Sequence, residues 1–143
     1  ADAPKRTQAT DALGDIGPGA RAAIPTLTGL LTDTSAAVRR SATDALGTVG
    51  ADDPTLAEAL APGLADADEW ISRNAALALL RLGSRAEPAI DDLVAALDSD
   101  NRYVSAKAAQ TLKRIETPIA RDALLDYLFT TRWCSMTSAA STF

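Results

Sequence analysis

Gly17, Gly50 and Gly83 stand 33 residues apart in this chain of 143, and Glu116 takes the fourth place. Other columns keep the same step. Leu13, Leu46, Leu79 and Leu112 form one, Ala9, Ala42, Ala75 and Ala108 another, and Ile16, Val49, Leu82 and Ile115 a third. Leu27, Leu60 and Leu93 repeat in the same way, as do Leu31, Leu64 and Leu97. Several columns at one period mark a repeat array, in which each unit buries its apolar face only against its neighbours. The period divides the chain into units over 1–33, 34–66, 67–99 and 100–132, with a non-repeating tail over 133–143.

Each unit reads as two helices. In the second, Val38, Ala42, Ala45, Leu46 and Val49 recur at spacings of 3 and 4 and make one apolar helical face. Asp33, Thr34 and Ser35 precede that face and can supply N-caps, and Asp66 and Asp68 do so for the next unit. Gly50 is expected to close the first helix in the left-handed conformation, with Pro54 in the following loop or first turn. Leu56, Leu60 and Leu64 then mark a second helix. Sustained period-2 alternation is absent, so strands are not expected. The fold class predicted is all-α, a right-handed α-solenoid of about four two-helix repeats.

Composition narrows the function classes. The net charge is −5 and the pI about 4.6, with no basic stripe, which disfavours a phosphate backbone and an anionic membrane surface. Thus neither nucleic acid nor membrane is expected as a partner. No apolar run approaches the roughly 18 residues of a membrane span. The chain has no histidine, which removes Ser-His-Asp and Cys-His catalysis and the commonest metal ligand. Cys134 is the only cysteine, so no internal disulfide forms and a cytoplasmic origin is the expectation. No catalytic constellation and no cofactor site can be identified, and an enzyme is not expected. The start at Ala1 carries no initiator Met, which suggests a processed product or a piece of a longer array.

Two other repeat classes have similar periods. Ankyrin units carry a Thr-Pro-Leu-His turn, excluded here by the missing histidine, and tetratricopeptide units use recurrent aromatics that these units lack. The run Asp33-Thr34-Ser35-Ala36-Ala37-Val38-Arg39-Arg40-Ser41-Ala42-Thr43-Asp44-Ala45-Leu46-Gly47-Thr48-Val49-Gly50 resembles the short HEAT-like repeat associated with phycobilisome lyases. The third unit keeps Ile71, Ala75, Ala76, Ala78, Leu79 and Gly83, but has Ser72 where an Arg is expected and Arg73 one place later. The fourth keeps Val104, Ala108, Ala109 and Leu112 and replaces glycines with Lys113 and Glu116. The resemblance implies a binding scaffold whose second helices line a concave face. It also raises a bilin-lyase-like enzyme subunit as an alternative. The related hydroxylases that bind di-iron through His-Glu pairs are excluded by the missing histidine.

On those second helices the solvent-facing row runs Thr26, Glu58, Asp91 and Asp92, joined by Asp122 and Asp126 in the last unit. This row becomes acidic toward the C-terminal half and suggests a groove for a basic protein or peptide partner. An ordinary solvated face of an acidic protein is the plainer reading. Trp70 and Tyr103, also 33 apart, open successive first helices and are candidates for an aromatic hot spot, or for simple cover of helix N-termini. Asp33 with Arg40, and Asp66 with Arg73, share a seven-residue offset across the inter-repeat turn, and the resemblance implies that they form a structural ladder of ion pairs. Gly17-Pro18-Gly19 reads as a helix stop, since no Lys-Ser/Thr follows to make a phosphate loop. At the array's start Lys5 replaces the apolar Val38, Ile71 and Val104 of the later units, as suits an exposed end. At the other end Asp126 and Thr130 interrupt the leucine columns. Leu124, Leu125, Leu128 and Phe129 restore an apolar stripe if the loop is about two residues shorter. The tail is a candidate cap, and residues 124–143 are a candidate for self-association.

Overall fold

The computed structural model describes residues 2–137, with side chains through residue 130. The described residues form helices and turns without strands. Four helices of 14 residues begin at a uniform step of 33, from 3 to 36 to 69 to 102: α1 (Ala3–Ile16), α3 (Ala36–Val49), α5 (Glu69–Leu82) and α7 (Arg102–Ile115). Between them lie shorter second helices, α2 (Ile24–Gly29), α4 (Leu56–Leu60) and α6 (Ile90–Ala96), and the longer α8 (Pro118–Thr137) closes the described chain. Turns of 3-10 helix over Gly17–Ala23, Leu30–Thr32, Ala61–Ala65 and Gly83–Ala89 flank the second helices. Prolines at 18, 25, 62 and 88 fall in or beside these segments, and their missing N–H groups explain why the second helices are broken while the first ones run whole.

First helices pack on first helices in the order α1, α3, α5, α7, and the shorter elements form a second layer beneath them. The core is continuous between the layers. Leu46, Leu79 and Leu112 from one side and Leu27, Leu60 and Leu93 from the other are fully buried. Small residues let the first helices approach closely. A Cβ at Gly47 would stand 2.9 Å from the Ala78 Cβ, and one at Gly14 would stand 3.3 Å from the Ala45 Cβ.

The helix caps follow local chemistry. Asp68 accepts from the N–H groups of Trp70 and Ile71 at 2.9 and 3.3 Å, and Asn101 accepts from those of Tyr103 and Val104 at 3.0 and 3.5 Å. Ser35 occupies the N-cap of α3 without a side-chain bond, while Asp33 accepts from the Ser35 N–H at 2.9 Å. Gly50 departs from expectation. Its φ is −116°, and the left-handed region is taken by Gly17, Gly83 and the non-glycine Glu116, at φ 64°, 60° and 58°. Gly50 is needed for room, because a side chain there would collide with the Leu56 methyl group.

The last unit also differs from expectation. Of the stripe over Leu124, Leu125, Leu128 and Phe129, only Leu124 packs against the core. Leu125, Leu128 and Phe129 are 52%, 51% and 59% exposed. Ala120 and Tyr127 take the inward places beside Leu124, because α8 starts at Pro118 directly after Glu116 and Thr117 and is turned relative to the earlier second helices. The helix runs through Thr137, so the first part of the expected tail continues α8. The side chains of Trp133 and Cys134, and residues 138–143, lie outside the described residues.

Candidate protein-binding groove

The acidic residues on the second helices do not form one row. Asp91, Asp122 and Asp126 come together with Asp98 around a groove of about 580 Å³ between α6 and α8. Asp92 points to the other side of α6, into a smaller hollow of about 260 Å³ shared with Ala61, Leu64 and Ala65. Glu58 is exposed on α4 and lines neither.

Helix geometry explains the grouping. On α6 the sequence places Asp91 and Val94 at i and i+3, and Asp98 follows in the turn that ends the helix. On α8 it places Ile119, Asp122 and Asp126 at i, i+3 and i+7. Residues so spaced share a helix face. The two faces meet across the groove, with Val94, Leu97, Ala123 and Tyr127 between the carboxylates. Ile119 is 62% exposed at its edge. No Lys or Arg lines it. The arrangement offers four negative charges around an apolar floor, which suits a ligand that is basic on its rim and apolar along one strip. Leu97 belongs to a repeat column and reads as core in the sequence, whereas Val94 belongs to none. Asp98 was legible only through its i+7 relation to Asp91.

The aromatic pair is arranged differently. Trp70 is 56% exposed on α5 and Tyr103 is half-buried on α7, and Arg73 stands between them. The Arg73 guanidinium carbon lies 5.3 Å from the Trp70 ring centroid and 4.5 Å from that of Tyr103. Lys107 adds a second cation 5.2 Å from the Tyr103 ring. The pair is therefore a cation–π stack.

The expected pairs Asp33–Arg40 and Asp66–Arg73 do not form. Asp33 instead holds Arg6 of α1, with Nε and Nη2 at 2.8 and 2.9 Å. Asp66 meets Arg39 at 4.0 Å, Arg40 Nε lies 2.9 Å from both oxygens of Asp68, and Arg73 Nη1 is 3.5 Å from Glu69. Each inter-repeat turn sits beside the first helix of the unit before it, so its carboxylates look backward along the array. The same step places Ser72 and Ser99 where the next rung needs an Arg and an Asp, and a polar hollow of about 720 Å³ opens there between Asp66, Ser72, Ser99 and Arg102. Hydrogen bonds from Arg6 and the Ser35 N–H hold the Asp33 carboxyl below its usual pKa. Arg40 does the same for Asp68, and the Thr55 hydroxyl and N–H for Asp53.

These features define a helical-repeat scaffold. A model of HEAT repeats matches residues 1–81 and 57–140, and the chain belongs to the HEAT-repeat family. Two crystal structures of engineered proteins from the Northeast Structural Genomics Consortium are similar to it. Both give a TM-score of 0.67 at 24% identity over 88% of this chain, covering 63% and 64% of theirs. The chain thus spans just under two thirds of the length of those proteins, and at that identity the likeness concerns the fold alone. No curated protein matches it in sequence. Among the described residues no helix is long and apolar enough to cross a membrane.

Proposed function

We propose that this chain is a non-catalytic adaptor module that binds a basic, amphipathic segment of a partner protein in the α6–α8 groove. The observation carrying this reading is the pairing of Asp91 and Asp98 with Asp122 and Asp126 around an apolar floor. A helix laid in such a groove would set Leu-like side chains on Val94 and Ala123 and Lys or Arg side chains against the rim. The rim charges would speed encounter and reject acidic segments. The lack of histidine throughout the chain supports binding over catalysis.

The test is binding of a labelled helical peptide patterned Leu-Lys-Lys-Leu, beside a Leu-Glu-Glu-Leu control, measured by fluorescence anisotropy. Saturable binding of the basic peptide alone is expected, weakening as salt is raised. The double variant Asp91→Lys/Asp122→Lys should lose at least tenfold in affinity, whereas Glu58→Lys, outside the groove, should change little. Equal loss in both variants would mean diffuse attraction to an acidic protein, and the groove reading would fail.

A further inference from the structure

The strip by which each first helix joins the helix before it is laid bare on α1. On α3 that strip is Val38, Ala42, Ala45 and Val49, each no more than 2% exposed. The same positions 33 residues earlier are Lys5, Ala9, Ala12 and Ile16. Ala9 and Ala12 are exposed, and Ile16 is 60% exposed. Lys5 stands where the strip would otherwise be valine, and its long stem lets the ammonium reach water at the margin.

At the other end of the array the complementary face is also open among the described residues. Within the stack, Gly14 and Gly47 are the points against which the next helix lies, through Ala45 and Ala78, and Leu80 follows at 8% exposure. The fourth residue of that series is Lys113, which is exposed on α7 beside the exposed Ala106 and the half-buried Ala109. Leu125 of α8 is also exposed. At about 100° per residue it lies about 140° around α8 from the inward face of Ala120.

The stack also contains a recurring clasp. Thr48 Oγ1 lies 3.2 Å from the Gly14 carbonyl, which shares the hydroxyl hydrogen with the Ala45 carbonyl at 2.9 Å, and Arg114 Nη1 donates to the Leu80 carbonyl at 2.8 Å, so this position reaches back over the previous helix. On α1 the clasp position is Asp15. In a preceding copy it would reach over Lys113. Asp15 is exposed and takes part in no ion pair of the described residues, and the same holds for Lys113.

We propose that a second copy of this chain docks head to tail, α1 of one copy on the α7–α8 face of the other, in the register of the internal repeats. Asp15 of one copy meets Lys113 of the other, and Ala9, Ala12 and Ile16 are covered. The two surfaces differ, so the contact is heterologous and leaves a free head and a free tail after each addition. It does not use the α6–α8 groove and stands or falls separately from the peptide reading.

Sedimentation velocity across a concentration series tests this. The weight-average mass of the intact chain should rise with concentration and pass the dimer value. Asp15→Lys alone and Lys113→Asp alone should each remain monomeric. An equimolar mixture of these two variants should associate again, because every head–tail junction between them pairs opposite charges. Circular dichroism of each variant shows that it is folded, as expected for exposed sites. A monomeric intact chain, single variants that associate like the intact chain, or folded variants whose mixture stays monomeric would each overturn the proposal.

Discussion

The Arg73 guanidinium lies over the Tyr103 ring, 4.5 Å from its centroid, and so ties the third repeat to the fourth. One repeat earlier the equivalent Arg40 holds Asp68. The residue 33 beyond Asp68 is the neutral Asn101, which leaves Arg73 to the aromatic rings and to Glu69 of its own helix. A cation–π contact at an open site is worth about 0.5–1 kcal/mol. A double-mutant cycle with Arg73→Met and Tyr103→Leu, read from urea unfolding, should give a coupling of that size. A coupling indistinguishable from zero would show the stack to be contact without energy.

The Arg6–Asp33 bridge makes stability depend on acid. The folded Asp33 carboxyl sits below its ordinary value, with Asp68 and Asp53 held down likewise. Their stabilising contribution is therefore complete above the unfolded carboxylate pKa of about 3.9 and is lost as pH falls through the lower folded values. Thermal melts should show a midpoint that drops steeply below about pH 4. In Asp33→Asn that drop should be shallower, with a lower plateau at neutral pH. An unchanged slope in the variant would remove Asp33 from the account.

Two helical glycines should respond oppositely to alanine. Alanine at Gly47 gains about 1 kcal/mol of helix propensity, but its Cβ presses on Ala78 Cβ and Cα at 2.9 and 3.3 Å, so α5 must shift. A net loss of about 1 kcal/mol is expected. Gly29 has nothing within 4 Å of the added Cβ, and Gly29→Ala should be neutral or stabilising by up to about 1 kcal/mol. Equilibrium denaturation distinguishes the pair, and equal effects would contradict the close approach of α3 and α5.

Glu116 holds φ 58° and ψ 14° at a position where the three other repeats have glycine, two of them also at positive φ. A left-handed residue with a Cβ costs about 1–2 kcal/mol, and glycine returns part of that through its freer unfolded chain. Glu116→Gly should raise stability by about 0.5–1 kcal/mol, visible as a higher melting temperature. A lower one would mean that the Glu116 side chain contributes more than its backbone strain removes.

The array was legible in the sequence because stacking demands the same residue type at the same place in each unit. The Leu46, Ala42 and Val49 columns gave the helices and their buried faces. The partners of the inter-repeat turns were not legible in that way. Asp33 and Arg40 are close in sequence, yet Asp33 bonds Arg6 because the inter-repeat turn lies beside the preceding helix. Gly50 looked like Gly17 and Gly83 by position, but its cause is the bulk of Leu56, which no local pattern shows. The groove was half legible. Asp91, Asp122 and Asp126 were found by facing, whereas separating Asp92 from them required the pitch of α6 against α8.

The substitution of Ser72 and Ser99 for an arginine and an aspartate has a consequence for how the molecule comes apart. A stack in which each unit touches only its neighbours behaves as a one-dimensional chain of couplings, and it parts first where a coupling is weak. The junction between α5 and α7 lacks the rung that Arg6–Asp33 and Arg39–Asp66 supply to the earlier junctions, and it opens onto solvent instead. The segment α7–α8 should then unzip as a unit before the rest melts. Amide exchange at Leu112 and Ala108 would outpace that at Leu46 and Ala42, though all four are equally buried. Equal protection along the array would mean that the aromatic clasp of Arg73 and Tyr103 makes good the missing rung.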